Sequence, residues 1–253
     1  MSGFQKVQVT NDNGASLMME STDTGYLLSN VDLGQPAEDD NTAKLPFCHG
    51  EFYQGFHLGA RDITITGHCF NGDYAKMQRV FSPFSLVTLT FWRGNDVRTA
   101  RGKPNGVFTP NKNPPYDFTV VFRCFDPFFY GPQQRYSTQW IRTKAGTYCH
   151  ESVIHNDGGV STPLLIRFVT NPSDDKYILL AEMAEKMTIN GLETNDEVEV
   201  STMDGNRYVR MGGQDITDRL TEDSVFFQLP PGRSTIQSNN HLNIWVAVRY
   251  LEI

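Results

Sequence analysis

The sequence predicts an all-β protein with one short helix, folded as two β-sandwich domains. Three observations carry that prediction. Apolar and polar residues alternate with period two along much of the chain. Its 21 glycines and 13 prolines among 253 residues supply frequent turns. Only a few stretches repeat their apolar residues at helical spacing.

The strands can be justified in order. Lys6-Val7-Gln8-Val9 alternates, and so does Arg61 to Gly67, with Ile63 and Ile65 on one face and Asp62, Thr64 and Thr66 on the other. Ser85 to Trp92 is a β-branched and aromatic run. Asp117 to Phe125 and Leu164 to Thr170 also read as strands. In Asn243 to Leu251, Ile244, Val246, Val248 and Tyr250 alternate against Trp245, Ala247 and Arg249, which predicts one long final strand. A short helix is predicted after Asp73, a good N-cap, with Tyr74, Met77 and Phe81 at helical spacing and Pro83 as the stop. Tyr177 to Met187 is a second helical candidate, because Leu179, Met183 and Met187 follow i, i+4 and Ala, Glu, Lys and Met favour helix. Residues 34–44 read as a polar acidic loop. Residues 102–116, with four prolines, read as a loop or hairpin arm.

The stretch RCFDPFFYGPQQ, Arg123 to Gln134, sets four aromatic rings around one acid and ends in a polar breaker. A domain boundary is expected there, giving domains 1–134 and 135–253, with a return of the last strand to the first domain left open.

Bulk properties narrow the function. Hydrophobic residues make up 39% and charged residues 20%, a globular composition. The net charge of −7, without a Lys/Arg run, argues against nucleic-acid binding and a polybasic membrane surface. No apolar run of 18 residues occurs and the N-terminus lacks a secretory pattern, so a soluble protein made in a cytoplasm is expected.

Chemical motifs are weak. Asp23-Thr24-Gly25 spells an aspartic-protease tripeptide but follows Glu20-Ser21-Thr22, not an apolar strand, and reads as a turn. Cys48-His49, His68-Cys69 and Cys149-His150 are adjacent pairs, and neighbours on a strand point to opposite faces. Each pair therefore offers one inward metal ligand at most, and no metal site is assigned. No nucleophile elbow, phosphate-binding loop or dinucleotide motif occurs, so neither catalytic residues nor a cofactor are assigned. Asp157-Gly158-Gly159 precedes a strand and reads as a turn. Trp92, Trp140, Trp245 and ten tyrosines could build a sugar-stacking platform, though most such rings fill cores.

Five motifs in order resemble those of the phage distal tail proteins, the Siphovirus tail-component family. GARDITITG (59–67) is similar to its Gly-x-Arg-x-Ile-x-Ile-x-Gly strand, which singles out Arg61, Ile63 and Gly67. VVFRCFDPFFYG (120–131) resembles its strand ending in Asp-Pro-aromatic, here Asp126, Pro127 and Phe128. HNDGGVSTPLLIRF (155–168) and MTINGLETNDEVEVST (187–202) resemble segments of its second domain. SVFFQLPPGRSTI (224–236) resembles its Phe-x-Leu-x-Pro-Gly signature, carried by Pro231 and Gly232, with Arg233 where the family often has Asn. The first 50 residues match little.

The resemblance implies a tail-tube-like first sandwich, a galectin-like second one, and strand rather than helix at 186–190, with 177–183 left open. It also implies a structural virion protein at the distal end of a long non-contractile tail. Such a protein is a homo-hexamer, as one ring or two stacked, between the tail tube and tape measure protein on one side and the baseplate hub or tail fibre on the other. DNA passes through its lumen. The chain has no room for an inserted carbohydrate-binding module. The alternative is a carbohydrate-binding adhesin that touches the host wall through its second domain. Under the leading reading Asp126 is structural: its carboxylate takes backbone N–H bonds where Asp-Pro turns the chain, and Phe125, Phe128, Phe129 and Tyr130 wedge the two domains together.

Overall fold

The computed structural model describes residues 4–22, 25–44, 51–70, 73–106, 111, 116–143, 146–172 and 176–251, with backbone alone over 39–44 and 51–57. Asp23, Thr24, Cys48 and His49 fall outside the described residues, so the tripeptide and one Cys/His pair are left aside. The chain forms two units, Met1–Phe129 and Tyr130–Leu251. The division falls one residue before the Gly131-Pro132-Gln133-Gln134 breaker, and Arg249–Tyr250 cluster with the second unit.

In the first unit the strands are β1 (Lys6–Asn11), β2 (Ser16–Glu20), β3 (Tyr26–Asp32), β4 (Glu38–Lys44), β5 (Glu51–Leu58), β6 (Arg61–Cys69), β7 (Val87–Arg93), β8 (Asp96–Pro104) and β9 (Tyr116–Cys124). Helix α1 spans Tyr74–Val80. Two antiparallel layers are present, β8-β7-β1-β2 and β3-β6-β9. They meet at two narrow seams. One is the parallel pair Glu20↔Leu27; the other is Lys103↔Arg123 with Pro104↔Phe122. The two layers of the expected sandwich are therefore one sheet closed on itself. Alternation produces this core as predicted at Val7, Val9, Ile63, Ile65, Leu89 and Phe91, and the unpredicted β2 adds Leu17 and Met19; all eight are fully buried.

The helix forms where its signals stand. Asp73 caps it by accepting the Ala75 amide at 2.8 Å. It buries Met77 and Val80, and Phe81 meets Phe118 and Phe122 at centroid distances of 6.0 and 5.9 Å. Asn11 Nδ2 donates to the Arg79 carbonyl and ties the helix to the β1–β2 turn.

Two local expectations are corrected here. The 34–44 loop contains strand β4, paired along its length with β5 from Glu38↔Leu58 to Lys44↔Glu51. A two-stranded ribbon satisfies backbone groups without requiring apolar side chains. Strand β8 also runs into the proline-rich 102–116 stretch and ends at Pro104, where a missing N–H is tolerated. Residues 107–110 and 112–115 lie outside the described residues.

The strands of the second unit follow a short β10 (Phe129–Tyr130). They are β11 (Gln134–Ser137), β12 (Gln139–Arg142), β13 (Tyr148–Asn156), β14 (Leu164–Val169), β15 (Tyr177–Leu180), β16 (Glu185–Thr188), β17 (Glu197–Met203), β18 (Asn206–Met211), β19 (Gln214–Asp215), β20 (Gly232–Ser238) and β21 (Leu242–Val246). One sheet has the order β11-β21-β14-β17-β18-β19 and the other β12-β13-β20-β15-β16. Between them lie Ile154, Ile166, Ile178, Leu180, Met187, Val200, Val209, Leu229, Ile236 and Ile244.

Tyr177–Met187, a helical candidate on propensity, is a hairpin, and β16 covers part of the strand that the family resemblance implies at 186–190. Ile178 and Leu180 are buried while Tyr177 and Leu179 are less so, and the period-two face outweighs residue propensity. The turn at Ala181–Ala184 places Ala184 at φ 55°. The predicted last strand stops at Val246. Val248 and Arg249 are both buried, so the alternation that put Arg249 on the outer face breaks.

Candidate functional site

Arg61, Ile63 and Gly67 share strand β6. Ile63 points inward opposite Phe122. A Cβ on Gly67 would lie 2.5 Å from the Leu27 carbonyl oxygen and 2.7 Å from the Phe118 ring, so glycine permits the close approach of strands there. Arg61 is 3% exposed, pairs with Cys124 across the sheet, and sets its guanidinium 4.5 Å from the Phe129 ring centre. Burial pushes the Cys124 thiol up to about 12, although the Arg61 charge pulls the other way. That thiol stays protonated at neutral pH.

Asp126 accepts the Phe128 amide at 3.1 Å across Pro127, as its place in an Asp-Pro turn requires. Three of the four rings of the segment take different places. Phe129 is fully buried in the first unit, edge-on to Phe91 at 5.9 Å. Phe125 is 59% exposed and packs into neither core. Tyr130 belongs to the second unit, where its hydroxyl accepts from Arg249 Nε at 3.1 Å. Pro231 and Gly232 lie in that unit too, at the turn into β20, where Gly232 holds φ 96°.

Arg249 is the residue that sequence reasoning missed. Its side chain is 4% exposed. Nη1 donates to Asp204 Oδ2 at 2.9 Å, and its backbone amide donates to Thr162 Oγ1 at 3.0 Å. Asp204 also accepts from Arg207 and Gln228, each at 2.8 Å. Burial opposes ionisation of Asp204, yet the hydrogen bonds from Arg249, Gln228 and Arg207 outweigh it and hold the carboxyl at about 2. Beside this lock, a Cβ on Gly158 would lie 2.0 Å from the Arg249 carbonyl oxygen. The Asp157-Gly158-Gly159 turn therefore admits the last segment of the chain, and Asp157 accepts the Tyr250 hydroxyl at 2.7 Å. These groups fix structure and place no nucleophile beside a base.

The tryptophans divide between the two units. Trp92 lies in the first unit with Lys6 over its ring, whereas Trp245 on β21 has the guanidiniums of Arg135 and Arg167 each 5.3 Å from its centroid. Trp140 stands on β12, 59% exposed. His68 of one Cys/His pair binds Asp117, Nδ1 to Oδ1 at 2.5 Å. Cys69, Cys124 and Cys149 are buried, and among the described residues no three His, Cys, Asp or Glu side chains gather as a metal site.

Two family models match in tandem. Residues 12–124 match the phage tail protein RIFT-related domain, and residues 157–252 match the Siphovirus-type tail component, C-terminal domain. The chain belongs to the phage distal tail protein family. No curated protein sequence matches it. Among solved structures, this distal tail protein is similar to SPP1 Dit (gp 19.1), described as a paradigm of the hub adsorption apparatus in phages infecting Gram-positive hosts. The TM-score is 0.69 at 17% identity, covering 97% of this chain and 99% of that one. It is also similar to a chain of the phage P2 baseplate in its activated conformation with Ca, with TM-score 0.58, 9% identity and 98% and 99% coverage. The same baseplate with Sr gives 0.56 and 10% at equal coverage. This distal tail protein is thus a structural component of a phage tail. Its motif residues Arg61, Gly67 and Asp126 serve strand packing and turns within it.

Proposed function

We propose that six copies of this chain close into a ring at the distal end of a long non-contractile tail. The ring joins the tail tube and tape measure protein above to the baseplate hub or tail fibre below, and DNA passes through its lumen. The second unit serves as a galectin-like docking or spacer surface, and the protein performs no catalysis. Membership of the distal tail protein family supports this reading, and one surface feature fits it. Phe84, just after α1, is 97% exposed, and Phe70 and Leu86 of the same unit are 44% and 37% exposed. A fully presented phenyl ring gains ~2 kcal/mol when a neighbour covers it, the profile of an interface anchor.

Charge fits a conduit. Six copies carry six times the single-chain −7, or −42. A lumen that is acidic or neutral lets DNA pass, because each phosphate–cation contact would add affinity and slow transit.

Light scattering after size exclusion tests the assembly. A mass of six times the 28.6 kDa chain, or twelve times for two stacked rings, is expected. A monomer at micromolar concentration refutes the ring. Tight DNA binding by the assembled protein at low salt refutes the inert lumen.

A further inference from the structure

The outer face of the six-stranded sheet carries a built arrangement that ring assembly does not call for. Strand register places Asn243, Arg167, Glu199 and Arg210 side by side on four adjacent strands, β21, β14, β17 and β18. Arg167 Nε donates to Glu199 Oε2 at 2.6 Å, and the Tyr208 hydroxyl donates to Glu199 Oε1 at 2.7 Å. The Tyr208 bond chiefly, with the Arg167 bond and charge after it, lowers the Glu199 carboxyl below its ordinary range despite burial. Asn243 Oδ1 accepts from Arg135 and Ser137 at 2.9 and 3.0 Å, so its amide orientation is fixed. A groove of about 620 Å³ opens over these residues, within the range of small-ligand sites. Glycines 212 and 213, both at positive φ, leave one side of it free of side chains.

The lining charges balance. Arg167 and Arg210 face Glu197 and Glu199 in one groove. A phosphate or carboxylate ligand would gain the guanidiniums but meet two carboxylates, and a cation would meet the reverse. A neutral ligand dense in hydroxyls gains donors and acceptors from both without net repulsion.

A second observation points the same way. His241 lines the groove, and its ring lies 5.6 Å from His150. His150 is edge-on to Trp140 at 4.8 Å, and Trp140 stacks on Tyr148 at 5.7 Å with 7° between planes. Trp140 and Tyr148 are 59% and 57% exposed. An aromatic row therefore leads from the groove across β12 and β13. Exposed flat rings beside fixed planar polar groups match the two faces of a pyranose, apolar C–H and hydroxyl.

We propose that this groove and its aromatic row form a binding site for a neutral oligosaccharide. The site lies wholly in the second unit, so it stands or falls independently of the ring.

Calorimetric titration of the purified full-length protein tests it. The probes are neutral oligomers of glucose, galactose and N-acetylglucosamine, with polyglycerol phosphate as the anionic counterpart. At least one neutral oligomer binds, and Arg210→Ala and Trp140→Ala each weaken that binding about tenfold or more. Both side chains are exposed, so melting temperature and particle mass stay unchanged in the two variants. The proposal is overturned if no neutral oligomer binds at millimolar concentration. It is equally overturned if polyglycerol phosphate alone binds, or if both variants bind the sugar like the parent.

Discussion

Replacing Asp204 with alanine probes the lock that holds the end of the chain. Arg249 is 4% exposed and Asp204 is 52% exposed. Removing one partner of a fully buried pair costs about 3–5 kcal/mol, because a charge is left without compensation. Here the carboxylate side is open to water, which replaces part of the lost interaction, and Tyr130 still accepts from Arg249 Nε. The expected loss is therefore about 2 kcal/mol, or a fall of ~8 °C in the melting of the second unit. Arg207→Ala is the control. Its contact with Asp204 is an i, i+3 pair between half-exposed groups, worth less than about 0.5 kcal/mol. The pH dependence follows from the same carboxyl. Its folded value of about 2 lies below the 3.8 of an ordinary aspartate. Its contribution, about 1 kcal/mol after allowance for exposure, is present above pH 3.8 and is lost as the pH falls through 2. Asp204→Asn should remove that acid-limb loss. Urea melts at pH 7 and over the acid range measure both effects. If Asp204→Ala melts with the parent, or if Arg207→Ala costs as much, the lock is not where the stability resides.

Three further outcomes follow from the geometry. Phe84→Asp should shift the particle to a lower mass in light scattering while leaving the melt of the chain intact; an unchanged mass removes Phe84 from the interface. Gly158→Ala should cost about 2 kcal/mol or more in urea melts, since its Cβ would sit 2.0 Å from the Arg249 carbonyl oxygen. Gly159→Ala, with no atom within 4 Å of its Cβ, should cost little by comparison. Ala184→Gly should stabilise by about 0.5–1 kcal/mol, because Ala184 sits at φ 55°, where a Cβ is strained.

Local signals were legible and long-range ones were not. Asp73, Met77 and Phe81 announced α1 because cap, stripe and stop lie within ten residues. The inward residues of β1, β6 and β7 could be read from alternation alone. Tyr177–Met187 misled because Ala, Glu, Lys and Met favour helix, while the decisive fact was that Ile178 and Leu180 share one buried face opposite β20. Arg249 looked like an outward strand residue. Its partners Tyr130, Thr162 and Asp204 are 119, 87 and 45 residues away, and no pattern along the chain links them. The groove escaped notice for the same reason: Asn243, Arg167, Glu199 and Arg210 come from four strands and meet only through register.

The first unit closes its sheet with three residue pairs, one at one join and two at the other. Gly102 lets the tighter join form, since a Cβ there would lie 2.7 Å from the Arg123 carbonyl oxygen. Such a body behaves like a clamshell with two thin hinges. Its half-shells stay stiff, while the hinges yield first when a neighbour pushes or pulls. Amide protons at Leu27 and Lys103 should then trade with solvent sooner than those in the middle of β1 or β6.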